Sequence, residues 1–447
     1  MKFFVINCFL GIAILLKSTP VNAQTIQLNG RPNARTIQLN GRPNAQTIQL
    51  IGRPVTGVNQ SELQRIDDVM QEYLSNNWLK GAVTIVIKDN QVIQYKGYGY
   101  LNAETKISMP KDAIFRIMSQ TKAITSVGIM MLYEQGKILL DEPISDFIPE
   151  FKHPVVIDKY HAGDTTYTTV PAKREITFRD LLSHSGGLDY AGIGSPAGKA
   201  IYAKAGISSG LGYIKGSLLE KMKILGKLPL MYQPGEKWQY SLSSDLLGCL
   251  IEVISGNSLD KFFYQNIFLP LEMKDTYFTL PASKFSRLAS VYTEDSLNHI
   301  IKWSHTFRSI DPDYPMLEKH YFSGGAGLSS TAFDYAIFLQ MLLNGGIYNG
   351  QRILSPRTVK MMTSSQLDFT YNGSDYFGLG FAITSTKSAN KNPCNEGSFA
   401  WGGYYGTTFW ADPKAHLVCL ILTQQTPNSH GDISTKIENI IYSSLDK

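Results

Sequence analysis

A chain of 447 residues, 43% hydrophobic and 18% charged, is too apolar to be mainly disordered and long enough for one large domain or two packed ones. Its formal charge of +5 is small for that length and its Lys and Arg residues are scattered, which gives nucleic-acid binding no electrostatic support.

The first residues read as an export signal. Lys2 gives a basic start, Phe3 to Leu16 is an apolar run, and Val21-Asn22-Ala23 supplies small residues for a signal peptidase. The run is short for a bilayer span, so residues 1–23 are expected to be cleaved and to leave no stable membrane anchor. The mature protein is then expected in the periplasm or outside the cell. Cleavage would remove Cys8 and leave Cys249, Cys394 and Cys419, an odd number that cannot all pair. They are expected to be buried as small apolar side chains.

Residues 24–57 hold three copies of an eleven-residue unit, Thr25-Ile26-Gln27-Leu28-Asn29-Gly30-Arg31-Pro32 recurring from Thr36 and from Thr47, the last with Ile51 in place of the Asn. Each copy carries a Gly and a Pro, and three short copies bury little, so an exposed, flexible spacer is expected.

The folded body is expected over residues 58–447. Ser61 and Glu62, with Leu63, Ile66, Val69, Met70, Tyr73 and Leu74 at helical spacing, predict an amphipathic helix. Gly81 to Ile87 predicts a buried strand, Asp89-Asn90 a turn, and Gln91 to Tyr95 a second strand. At the other end, Phe409 to Ala411 and Leu417 to Leu422 predict paired strands, and Ile433 to Leu445 a closing helix. The pattern predicts an α+β fold: an antiparallel sheet built from residues 58–140 and 350–447 and flanked by helices. A mainly helical part, 141–349, is inserted between, with the active site in the cleft.

Two serine chemistries are open. Gly206-Ile207-Ser208-Ser209-Gly210 matches a nucleophile-elbow pattern, but Tyr202-Ala203-Lys204-Ala205 before it is no buried strand, which favours a flexible loop. A Ser and a Lys three residues apart share a helix face, and Ser119/Lys122, Ser258/Lys261 and Ser388/Lys391 all have that spacing. Chance alone supplies about this many such pairs. Ser388 is expected in a polar, Pro-bounded loop, and Ser258 reads as a helix start with an exposed Lys261. Ser119 instead follows Ile114-Phe115-Arg116-Ile117-Met118 and opens an apolar helix through Ile124, Val127 and Ile129. There the serine is near helix-end amides, and apolar neighbours favour Lys122 as a base. A helix-capping serine is the alternative at this point.

The stretch Phe115-Arg116-Ile117-Met118-Ser119-Gln120-Thr121-Lys122 resembles the first active-site motif of the serine β-lactamase and penicillin-binding-protein superfamily, in its class C-like branch. Leu181-Leu182-Ser183-His184-Ser185-Gly186-Gly187-Leu188, Pro234-Gly235 with Trp238-Gln239-Tyr240-Ser241, Ser323-Gly324-Gly325-Ala326-Gly327-Leu328-Ser329-Ser330 and Trp401-Gly402-Gly403 follow in that branch's order. The resemblance implies a class C β-lactamase-like fold, and no metal or other cofactor is expected, since neither His nor Cys residues show ligand spacing. It implies Ser119 as nucleophile, Lys122 as its activator, Tyr240 as general base and acid, and the Ser119 and Tyr404 amides as oxyanion hole. His184 is then structural.

Two departures bear on substrate. Leu242 stands where such β-lactamases carry an Asn that holds the lactam side chain, and Trp401 stands where they carry a Lys for the substrate carboxylate. With Gly402 and Gly403, these positions are expected to meet substrate. Tyrosine-serine-leucine with tryptophan-glycine-glycine resembles the esterase branch, and Trp401, Tyr404, Tyr405 and Trp238 suggest an apolar acyl pocket. The expected function is hydrolysis of a small-molecule or peptide acyl substrate, first a carboxylic ester. A β-lactamase or D-amino-acid peptidase on the same fold is the first rival, and a non-catalytic penicillin-sensing module the second.

Overall fold

Alternation of apolar side chains decides the central sheet. In the Gly81–Lys88 strand, Ala82 and Val86 face one side and Val83, Ile85 and Ile87 the other, and all five are buried. Leu417–Thr423 repeats the pattern with Leu417, Cys419 and Ile421 against Val418, Leu420 and Leu422. A strand buried on both faces needs a layer on each side.

The structure is a computed structural model that describes residues 47–49, 55–207, 210–212, 214–303 and 310–445. The expected signal, the first two repeat copies and Ser208 lie outside them. The described residues belong to the unit spanning Pro43–Lys447. Its main sheet has eight antiparallel strands in the spatial order Tyr376–Phe377, Ala382–Ile383, Phe399–Gly402, Thr408–Asp412, Leu417–Thr423, Gly81–Lys88, Gln91–Asn102 and Ile107–Ser108. Gly81–Lys88 pairs with Leu417–Thr423 from Ala82↔Thr423 to Lys88↔Leu417, so both ends of the sequence meet at mid-sheet, as the strand patterns predict. Helices Arg65–Ser75 and Ile433–Ser443 cover one face through Ile66, Met70, Tyr73, Ile433, Ile437 and Ile441. The other face packs against Ala332–Leu343, and Thr121–Glu134 lies in the same main core, packed on Ser243–Ser255.

Several expectations change. The first helix is split into Gln60–Leu63 and Arg65–Ser75, and Asn59 caps it, its side chain accepting from the Ser61 and Glu62 amides. The stretch 141–349, expected to be mainly helical, carries strands beside its helices. It includes the hairpins Val155–His161 with Thr166–Pro171 and Tyr292–Glu294 with Ile300–Lys302, and its last helix, Ala332–Leu343, packs on the sheet. Nor is the third repeat wholly an exposed spacer. Ile48 is buried, the Gln49 amide donates to the Asn90 carbonyl at 2.8 Å, and the Val92 amide donates to the Gln49 carbonyl at 3.0 Å. The edge of Gln91–Asn102 is paired with Ile107–Ser108 only near Tyr100 and Asn102, and an open edge accepts an extended segment. Cys249, Cys394 and Cys419 are buried and carry no disulfide.

Candidate active site

The segment before Ser119 is tied down on several sides. Phe115–Arg116 pairs with Ser329–Ser330, and the Ile117 amide donates to the Leu328 carbonyl at 3.1 Å. The buried Arg116 guanidinium donates to the carbonyls of Pro312 and Ala289 and to the Gln424 side chain. Met118 then takes φ 49°, a left-handed conformation that costs a non-glycine residue on the order of 1–3 kcal/mol. Its side chain is wholly buried against the cluster of Trp303, Tyr314 and Tyr405, and that packing holds the turn. Ser119 is the middle residue of the short 3₁₀ turn Met118–Gln120, and the helix proper starts two residues later at Thr121.

Ser119, Lys122 and Tyr240 meet. Tyr240 lies just before the Ser243–Ser255 helix, and its hydroxyl donates to Ser119 Oγ at 2.6 Å. Lys122, the second residue of its helix and 2% exposed, donates from Nζ to Ser119 Oγ at 3.3 Å and to the Gly325 carbonyl at 2.7 Å. The same ammonium stands 4.7 Å from the Tyr240 ring centroid. A buried cation beside a phenol stabilises the phenolate that a proton transfer from Tyr240 would create.

His184 is close, but its ring meets Ser241, Trp238, Tyr240 and Phe377 rather than Ser119. It is 2% exposed, lies 5.1 Å from the Tyr240 ring, and shares a 3.3 Å contact between Nδ1 and Ser241 Oγ. Burial, with the Lys122 charge, lowers it to about 3, so it is neutral at ordinary pH. Two further groups close the back of the cluster and escaped the sequence. Asp245, in the first turn of Ser243–Ser255, is buried, and burial raises its carboxyl above the usual range. Tyr190 is buried with its ring 5.2 Å from that of Tyr240 and 5.6 Å from Lys122 Nζ. An acid in a helix's first turn is so ordinary that Asp245 carried no signal.

The Phe399–Gly402 strand runs beside the Ser119 turn. It brings up Trp401, half-buried, with its ring 5.6 Å from that of Tyr240. Gly402 and Gly403 follow, and the Gly403 amide donates to the Thr407 carbonyl at 2.7 Å. Tyr404 is half-buried beyond them. Two expected substrate contacts lie elsewhere. Leu242 is fully buried in the main core, drawn there by its apolar side chain at the start of an apolar helix. Tyr405 is buried against Trp303 and Met118 and not on the cleft. Tyr371 and Phe377, which the sequence did not single out, pack on Trp401 with their rings 6.3 Å and 5.5 Å from its own.

The other serine pairs gather no such company. Ser258 caps the short Leu259–Phe263 helix with Lys261 exposed, and Ser388 lies in the short Thr386–Ala389 helix, bonded to Ser374 at 2.9 Å. Gly206 follows the Pro196–Lys204 helix rather than a strand, against an elbow there.

The beta-lactamase family model matches residues 66–439. The chain is similar to Esterase EstB of Burkholderia gladioli, 27% identical over 406 residues that cover 85% of this chain and 94% of EstB. It is also similar to the N-acetylmuramyl-L-alanine amidase of Bacillus subtilis, 27% identical over 387 residues, 81% of each chain. Among solved structures, that of EstCE1, a hydrolase with promiscuous acyltransferase activity, matches with a TM-score of 0.74 at 25% identity, over 86% of this chain and 99% of that one.

Proposed function

This chain belongs to the beta-lactamase family of serine hydrolases, and from that premise we propose that it is an exported carboxylesterase working through a Ser119 acyl-enzyme. The observation that carries the reading is the 2.6 Å hydrogen bond from Tyr240 to Ser119 Oγ, with Lys122 against both groups. In acylation, Ser119 Oγ bonds to the ester carbonyl carbon while its proton passes through Tyr240 to the departing alcohol oxygen. A water then attacks the acyl-enzyme, gives its proton by the same route to Ser119 Oγ, and the acid leaves. The Ser119 and Tyr404 amides are the proposed donors to the oxyanion formed in each step.

An ester is favoured over a lactam or a peptide because neither Leu242 nor Trp401 can contribute what those substrates use. Leu242 is apolar and buried, and Trp401 carries no charge for a carboxylate. The similarity to EstB agrees with this choice, while the similarity to the amidase keeps amides in the test. Export rests on Lys2, the run from Phe3 to Leu16 and Val21-Asn22-Ala23. The deciding assay sets the purified protein against short alkyl esters, a chromogenic cephalosporin and D-alanyl peptides. Esters turned over well ahead of both other classes support the proposal, and the reverse order rejects it.

A further inference from the structure

Four partly exposed rings form a closed circuit beside the Ser119 hydroxyl. Trp238 and Tyr371 have centroids 5.0 Å apart, Tyr371 and Trp401 6.3 Å, Trp401 and Tyr240 5.6 Å, and Tyr240 and Trp238 6.2 Å. Phe377, 1% exposed, supports three of them, at 5.5 Å from Trp238, Tyr371 and Trp401 alike. His184 backs the set from the core, 5.7 Å from Phe377 and 6.0 Å from Trp238. Of the rings in the circuit, Tyr240 alone belongs to the proposed proton path.

Aromatic side chains bury well, so four rings left partly in water next to a reacting serine form a surface awaiting cover. Its chemistry narrows the cover. Lys122 stands over Tyr240, so a second cation there would meet like charge. What stays open are ring faces and edges, and these pair best with another flat ring in offset or edge-to-face contact.

Resting on Ser119 as the esterase nucleophile, we propose that Trp238, Tyr371 and Trp401, with the edge of Tyr240, form a subsite for a flat aromatic group next to the scissile bond. The substrates are then esters of aryl-substituted acids or alcohols. The acid and alcohol sides share this chemistry, and substrate choice separates them.

The test compares methyl phenylacetate with methyl cyclohexylacetate, and benzyl acetate with cyclohexylmethyl acetate. Each pair differs only in ring aromaticity, on the acyl side in the first and on the alcohol side in the second. The expected result is an aromatic advantage of about 2- to 12-fold in kcat/KM in at least one pair. That advantage falls towards unity in Tyr371→Leu and in Trp238→Leu, and returns in Tyr371→Phe, which keeps the ring. Equal rates within both pairs, or an advantage that survives in both leucine variants, overturn the subsite while leaving the esterase intact. If none of the four esters is hydrolysed, the esterase reading itself fails. Tryptophan-fluorescence titration of Ser119→Ala protein with the same compounds then still decides the wall: tighter binding of an aromatic member supports it, and equal binding within both pairs overturns it.

Discussion

A methyl group placed on Gly403 would fall 2.5 Å from the carbonyl oxygen of Ile117, and closer still to Thr407 Oγ1. The end of the Phe399–Gly402 strand and the turn that carries Ser119 are therefore in backbone contact, with room for a hydrogen atom and nothing larger. Thr407 completes the joint by donating from Oγ1 to the same Ile117 carbonyl at 3.3 Å.

Gly403→Ala should therefore push strand and turn apart. The expected cost is about 1–3 kcal/mol of stability, as for other overpacked sites. Turnover should fall further than stability does, because the proposed Tyr404 oxyanion donor is the next residue. Thermal melts and kcat on a short ester measure the two effects together. Unchanged kcat in a folded variant would separate this joint from catalysis.

Ser119→Ala should abolish both turnover and labelling by a fluorophosphonate, since its Oγ is the group that both the Lys122 amine and the Tyr240 phenol reach. The decisive control is Ser208→Ala, which should still label. Labelling lost in Ser208→Ala but kept in Ser119→Ala would move the nucleophile to the glycine-flanked loop.

Tyr240→Phe removes the hydroxyl 2.6 Å from Ser119 and keeps the ring that Trp401 and His184 pack against. Loss of a general acid–base group should lower kcat by about a hundredfold or more, with little change in melting temperature. A kcat within a few-fold of the parent would reject Tyr240 as the proton carrier.

His184 predicts an acid-sensitive fold. The folded protein keeps this imidazole neutral down to about pH 3, whereas its ordinary value is 6.5. Between those values the unfolded chain binds the extra proton, so stability falls as pH falls from about 6.5 towards 3, by on the order of a few kcal/mol. His184→Gln should melt lower at pH 7 through lost packing, yet lose less on moving to pH 4.5, and a folded sample should keep measurable esterase activity. An identical pH slope in parent and variant would assign the acid sensitivity to other groups, and complete loss of activity in folded variant would argue for a histidine base.

Specificity can be probed at Trp401 alone. Leu242→Asn would bury an amide in the main core, at a cost of about 1–3 kcal/mol, so it confuses affinity with folding. Trp401→Lys acts at a half-buried position and supplies the missing charge. The ratio of cephalosporin to ester kcat/KM should rise in the variant from a low value in the parent. A parent enzyme that already hydrolyses cephalosporins as efficiently as esters would overturn the argument from both positions.

The sheet was legible wherever burial leaves a pattern. The alternation Ala82-Val83-Thr84-Ile85-Val86-Ile87 and the run Leu417 to Leu422 announce strands because both faces are apolar. Ser119, Lys122 and Tyr240 were legible because each sits in a distinctive short stretch. The Thr166–Pro171 strand was not, since it is exposed along its whole length and shows no alternation. Tyr371 and Phe377 were missed for a related reason. They flank the polar stretch Asn372-Gly373-Ser374-Asp375, and only the fold brings them to Trp401. The burial of Leu242 was not legible either, because sequence position says nothing about which way the start of a helix turns its side chain.

The order of synthesis gives one feature of the sheet a further meaning. Leu417–Thr423 lies between Gly81–Lys88 and Thr408–Asp412, so a strand near the middle of the sheet is made long after the partner it pairs with. Until it arrives, Gly81–Lys88 waits with an open edge through more than three hundred residues of translation, a long-range pairing that slows folding and exposes the nascent chain. A premature stop codon just ahead of Leu417 would thus remove the keystone of the sheet rather than a dispensable tail.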